Sequence, residues 1–336
     1  MRRSQSRLSD RIASIALEAV GINMAASVSE NSARAPDRRR RHRPGRLSRR
    51  RRRAGMLLSL PAIAVVLSLL VIPIGQAVYY SMTTWNGITA TWIGPQAYVQ
   101  VLHDPTFWRV LENNALLLLA VPFAIGIPLV IATLLNEHVR GWRVFRSVYF
   151  LPTAISWVVI GVVAVQFFAL NGLMNHLLAV IGLGSAQTDM LAGQRTALLA
   201  LGITFVFSMI GTNTIIFLTG MATLDPALLE AARVDGLNAR QVFLHVTLPL
   251  LRRFVQFSFV ITVISAFSAL FSLIFVMTNG GPGYGTTTLE FFVSQSAFSM
   301  GQFGTAALYG IILFVIMAAV GLVQLRVIRS EDGSGW

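Results

Sequence analysis

The chain contains no cysteine and no lysine; all 27 of its basic residues are arginine. Without thiols it has no disulfide framework, no thiolate nucleophile and no cysteine-ligated metal. Without an amine it cannot complete a Walker A loop, whose lysine reaches the β- and γ-phosphates, or form a Schiff base. If a nucleoside triphosphate powers this protein, another polypeptide must bind it. Charge of either sign is scarce as well. Only 12% of the 336 residues are charged, against about 25% in ordinary soluble domains. Hydrophobic residues make up 54%, so most of the chain is built to avoid water.

The net charge of +13 belongs mainly to one end. Residues 1–53 hold 16 arginines against Asp10, Glu18, Glu30 and Asp37, whereas the rest holds 11 arginines against 10 acids. The stretch RAPDRRRRHRPGRLSRRRRR (34–53) reads as a disordered polybasic run suited to anionic headgroups. Nuclear targeting or nucleic-acid binding is the rival reading of such a run, and anchoring of a following span is preferred. Residues 1–23 resemble a transit peptide in composition, and Met24 offers an alternative start; no function is assigned to them.

Charges divide the remainder into long uncharged runs. Six of them can hold the ~20 apolar residues that cross ~30 Å of hydrocarbon at ~1.5 Å per residue. The expected spans are 56–80, 113–135, 148–170, 197–220, 254–277 and 304–325. Each is expected to be a helix, because a helix pairs its own backbone where no water can. The expected fold class is therefore an all-α membrane protein. A six-span domain of 54–328 follows the 1–53 tail, and a short tail of 329–336 closes the chain.

Arginine sets the expected orientation. It is concentrated in the N-terminal tail, in 136–147 (Arg140, Arg143, Arg146), in 221–253 (Arg233, Arg240, Arg252, Arg253) and at the C-terminus (Arg326, Arg329). The alternate connections hold only Arg109 and Arg195. By the positive-inside rule both termini and the 221–253 connection face the cytoplasm. The reading is a multi-pass membrane protein with both termini in the cytoplasm.

Within that cytoplasmic connection lies EAARVDGLNARQVFLHVTLPL, Glu230 to Leu250. It is too short and too charged to cross a bilayer, yet it carries helix signals. Asp225–Pro226 starts one helix, since Asp caps free amides and Pro suits the first turn. Gly236 suits a left-handed stop. Asn238 can cap a second helix that Pro249 bounds. The expected result, over 225–249, is a pair of short helices lying along the membrane plane.

The spacing adds specificity. Glu230-Ala231-Ala232, three residues, Gly236, nine residues, then Val246-x-Leu248-Pro249 resembles the cytoplasmic signature loop of binding-protein-dependent ABC importer permeases. The family usually has Ile where Val246 stands. TWNG (84–87), DPTFW (104–108) followed by Asn113–Asn114, RVFRSVYFLPTAIS (143–156) and TNGGPGYGTTTLEFF (278–292) are similar, in order, to the maltose-type first permease of the sugar-importer branch.

The resemblance implies a six-span type I importer permease that forms the translocation path of an ATP-driven carbohydrate importer in a bacterial plasma (inner) membrane. The 225–249 pair would be its coupling helix. Glu230, Ala231, Ala232, Asp235, Gly236, Leu248 and Pro249 would form the contact with the ATPase. Glu230 would meet a basic residue there, and the two alanines would permit close docking. The implied partners are a second related permease, two ATPase subunits, an external solute-binding protein, the carbohydrate and membrane lipid, with no nucleic acid. No cofactor is expected on this chain, with ATP and Mg on the ATPase, and no catalysis.

In the family, the spans flanking the coupling loop line the sugar site. That points to Ser208, Thr212 and Asn213 in span four and Ser265, Ser268 and Ser272 in span five. Interhelical hydrogen bonding is the competing role for each. Gln166 is a further midspan polar group.

Two other patterns carry less. NGGPGYG (279–285) is glycine-rich, but no lysine follows it, and the orientation puts it outside as a hinge or dock. His42, His103, His138, His176 and His245 have no metal-ligand spacing. The alternative function is an ion-gradient-driven transporter of a small polar solute. Proton coupling there would need acids within the spans, and the expected spans contain none.

Overall fold

The computed structural model of the protein describes residues 58–136 and 150–332. The N-terminal polybasic run, the arginines of 137–149 and the last four residues lie outside the described residues. The chain divides into Met1–Ser68 and Leu69–Trp336. Of the first unit only 58–68 are described, and they are helical.

Among the described residues six helices are long and apolar enough to cross a membrane: Leu58–Tyr80, Pro105–Asn136, Trp157–Val180, Gln194–Met221, Arg252–Met277 and Phe303–Arg326. They are spans one to six below. Among the described residues there is no strand, only an isolated bridge between Thr83 and Trp92.

Spans four, five and six match the expected limits within three residues, and span one ends at Tyr80 as expected, its expected first two residues lying outside the described ones; two and three differ for identifiable reasons. Span two starts at Pro105 instead of 113. Asp104 accepts from the Thr106 N–H at 2.8 Å and Pro105 occupies the first turn, so a helix begins there whatever the lipid does. Arg109 and Glu112 then pair at 3.2 Å on its exposed face. Charge marks where hydrocarbon stops, and this helix simply continues past it. Span three starts at Trp157 instead of 148 because Ser156 caps a new helix on the Val159 N–H. It runs on after a break at 169–172 as Leu173–Val180. Buried Asn175 fastens that break, its amide reaching the carbonyls of Ala169, Leu170 and Thr188 at 2.8–3.1 Å.

Span four is the most buried of the six, and span one has no buried residue in its most apolar stretch. The main apolar core joins spans two to five around Leu201, Phe205, Phe217, Leu270, Leu273 and Ile274. A second cluster gathers Phe107, Val110, Leu289, Phe292 and Tyr309 where spans two and six meet the 278–302 segment. Spans four and five approach each other tightly next to the 225–249 pair. There a Cβ on Gly220 would stand 2.7 Å from the Phe254 ring and 2.8 Å from Leu251, so only glycine permits the approach.

Candidate functional site

The connection between spans four and five folds as two short helices. The first, Pro226–Val234, is capped by Asp225, whose carboxylate accepts from the Ala227 N–H at 3.0 Å. It ends in a full Schellman turn: the Leu237 N–H donates to Ala232 O at 3.2 Å and the Gly236 N–H to Arg233 O at 3.1 Å. Gly236 sits at φ +84°, the left-handed region that favours glycine. The second helix opens at Ala239 under a reciprocal capping box of Asn238 and Gln241, with both bonds at 2.9 Å. It continues through a π-helical turn, Phe243–Thr247, to Leu248–Leu250.

The two alanines of the motif part company. Ala232 is buried against the second helix and lets the pair close, while Ala231 is exposed. Leu228 and Val234, three residues to either side of Ala231, are also exposed, Val234 to 86%. An apolar stripe of Leu228, Ala231 and Val234 therefore stands free on the first helix, with exposed Glu230 beside it. Asp235, Gly236 and Pro249 are exposed and Leu248 is half-buried.

The midspan polar residues also divide. Ser208 is buried and donates to Thr204 O at 2.8 Å. Asn213 is fully buried, and its amide donates to Ala124 O at 2.7 Å and to Thr262 Oγ1 at 3.0 Å. The first bond has a covalent reason. Ala124 O would ordinarily accept from the N–H four residues on, and position 128 is Pro128, inside the helix Val121–Asn136. Asn213 supplies the missing donor and so ties spans two, four and five through one side chain. Neither Ser208 nor Asn213 is brought to a surface that a solute can reach within this chain.

Thr212, Ser265 and Ser272 are half-buried, and their hydroxyls donate to nothing among the described residues. Ser268 is exposed and donates to Ile264 O at 2.9 Å. Ser265, Ser268 and Ser272 fall on one helical face.

The Asn213 knot yields a test. Side-chain hydrogen bonds within membranes average only about 0.6 kcal/mol, but here loss leaves a carbonyl with no alternative donor. Asn213→Leu is expected to destabilise the protein by about 2 kcal/mol. In a Pro128→Ala background the N–H of residue 128 returns, and the cost of Asn213→Leu should fall by about half. Thermal unfolding of the four purified proteins measures this, and equal losses in both backgrounds would refute the orphan-carbonyl account.

At the opposite end of the spans, the glycine-rich segment closes onto span two. Asn113 donates to Tyr284 O at 2.8 Å and to Thr287 O at 2.9 Å, and Asn114 accepts from the Leu289 N–H at 2.8 Å. Asn113–Asn114 and TNGGPGYGTTTLEFF are thus two halves of one clasp. Next to it is Glu290, a lone carboxylate between two long uncharged runs and not among the expected site residues. It lies outside the six spans, in the 278–302 segment. Burial pushes its carboxyl up to about 7. Its own backbone and the nearby Thr288 and Asn114 offset this only in part. Neither oxygen has a donor in good hydrogen-bond geometry. Among the described residues no group of His, Asp and Glu could hold a metal.

The chain belongs to the family of binding-protein-dependent transport system inner membrane components, whose sequence profile matches residues 124–330. It is a multi-pass inner-membrane permease. It is 32% identical over 82% of its length to a probable ABC transporter permease protein, YurN, of Bacillus subtilis, covering 95% of that protein. It is 29% identical to the multiple sugar-binding transport system permease protein MsmF of Streptococcus mutans, over 77% of this chain and 90% of that one. The fold matches a chain of a bacterial alginate ABC transporter, solved in complex with an alginate pentasaccharide-bound periplasmic protein. The TM-score is 0.74 at 22% identity, over 87% of this chain and 100% of the other.

Proposed function

We propose that this chain is a transmembrane subunit of an ATP-driven carbohydrate importer, and that its 225–249 helix pair receives the force of a separate ATPase. The observation that carries the reading is the exposed stripe of Leu228, Ala231 and Val234 beside Glu230, held on a helix capped at both ends. A chain without lysine has no P-loop of its own. A rigid surface between two spans is the means left for a motor on another polypeptide to move them. The arginine distribution assigns this surface and both termini to the cytoplasm. The clasp at 278–289 then belongs outside, where a solute-binding protein delivers its cargo.

The free hydroxyls of Thr212, Ser265 and Ser272, with Ser268, suit a neutral polyol. No arginine stands midspan to favour a phosphorylated solute. ATP binding on two ATPase subunits closes them, the helix pair moves, and the cavity shared with a second, related permease turns outward. Hydrolysis resets it. MsmF is by name a permease of a multiple sugar-binding transport system, which supports the substrate class.

Proteoliposomes holding this chain with its neighbouring-gene permease, ATPase and binding protein are expected to accumulate labelled sugar only with internal ATP. Uptake by this chain alone, driven by a proton or sodium gradient without ATP, would overturn the reading.

A further inference from the structure

A cavity of about 450 Å³, with polar groups set among apolar ones, includes no residue of the 225–249 pair in its walls. It is bounded by the end of span one, the 81–104 segment and the first turns of span six. Its walls are held in place. Trp85 stacks on Tyr80 with ring centroids 4.0 Å apart and meets Phe303 at 5.2 Å. The Gly304 N–H donates to Trp85 O at 2.8 Å, and Met82 O accepts from the N–H groups of Ile93 and Gly94 at 2.9 and 3.0 Å. The site is therefore preformed, and its volume falls in the ~300–1,000 Å³ range of small-molecule pockets.

The lining has hydrogen-bonding capacity that the protein does not use. Gln100, Gln302 and Thr305 all border the cavity, and their side chains make no hydrogen bond among the described residues. Asp104 commits one oxygen to the Thr106 N–H. Asn86 commits only its oxygen, to Ile88, Thr89 and the Thr89 hydroxyl, so its amide N–H groups remain available. The indole of Trp85 adds an apolar surface, one face of which Tyr80 occupies.

This chemistry selects among ligands. No arginine lines the cavity, and a carboxylate does, so an anion is disfavoured. One carboxylate is too few for a metal ion. Neutral amides present a donor and an acceptor side by side, which matches the paired hydroxyls of a sugar ring, and the indole suits its C–H face.

We propose that this cavity is a saccharide-binding site on the outer face of the permease, distinct from the midspan hydroxyls of spans four and five. It holds one or two sugar rings between delivery and entry into the path. The proposal rests on the carbohydrate-importer reading for its ligand class and on the charge-derived orientation for its side of the membrane.

The test uses the assembled transporter in lipid nanodiscs without nucleotide or binding protein, probed by hydrogen–deuterium exchange. The probes are maltose, lactose, raffinose and, as a cationic control, choline. At least one saccharide is expected to give saturable protection of 81–104 and 302–308. The double variant Gln100→Ala/Gln302→Ala, checked for co-purification with its partners, should weaken that binding about tenfold or more, from the loss of two hydrogen bonds. Protection unchanged in the double variant, protection by choline alone, or no protection by any saccharide would each overturn the outer site. A transporter that still imports sugar in proteoliposomes while failing here retains its proposed function and loses only this site. A transporter that imports no sugar fails the function itself.

Discussion

Gly236→Pro is expected to reduce sugar-stimulated ATP hydrolysis of the assembled transporter to its unstimulated level while the six spans still insert. Gly236 lies at φ +84°, and proline is fixed near −65°, so the Schellman turn cannot form. Proline also removes the N–H that donates to Arg233 O at 3.1 Å. The first helix would then splay from the second and carry Leu228, Ala231 and Val234 away from their common face. Gly236→Ala is the graded control. Nothing stands within 4 Å of a Cβ there, so its cost is the left-handed backbone alone, about 1 kcal/mol, and stimulation should largely survive. Glu230→Lys reverses an exposed charge without touching the turn, and it should abolish stimulation through the contact alone. Unchanged stimulation in both Gly236→Pro and Glu230→Lys would refute the coupling role.

The second large effect concerns pH. The Glu290 carboxyl is held at about 7 by burial, against an ordinary 4.5. A raised acid pKa means that the folded state binds this proton more tightly than the unfolded chain does. Stability from this group is therefore greatest below about 4.5 and falls as pH rises through about 7. The span of the shift corresponds to something on the order of 3 kcal/mol. Glu290→Gln keeps the shape without the charge. It should raise the unfolding temperature of the purified complex at pH 8 and flatten its dependence on pH between about 4.5 and 7. A variant whose stability tracks the parent across that range would show that Glu290 finds a compensating partner in the assembly. The clasp of Asn113 and Asn114 on the 278–289 segment is the part of the fold this titration would loosen first, since Asn114 lies beside both Leu289 and the carboxyl.

Much of this was legible in the chain because lipid imposes simple rules. A run of apolar residues in hydrocarbon has to be a helix, and span four came out as Gln194–Met221 against an expected 197–220. The caps Asp225 and Asn238 and the stop Gly236 were legible for a local reason, since each acts on backbone groups within three residues. Span two was misplaced at its start because charge was taken as the end of a helix, when it marks only the end of the hydrocarbon. Ser208 and Asn213 read like Thr212 on a list of polar residues. Pro128, 85 positions away, is what makes Asn213 a tie between helices, and no local pattern connects the two.

The sequence by itself determined that this chain is a bundle of lipid-buried helices with a structured helix pair between the fourth and fifth. It also determined that no phosphate-binding lysine could be present. These follow from composition and from interactions spanning a turn or less, which need no knowledge of neighbours. Only the tertiary structure decided which alanine of the motif faces outward, which hydroxyls stay free, and that Asn113 and Asn114 clasp the glycine-rich segment beside a buried Glu290. The clasp, like the Asn213 tie, depends on segments brought side by side across 89 to 175 residues of chain, and packing alone selects which faces meet.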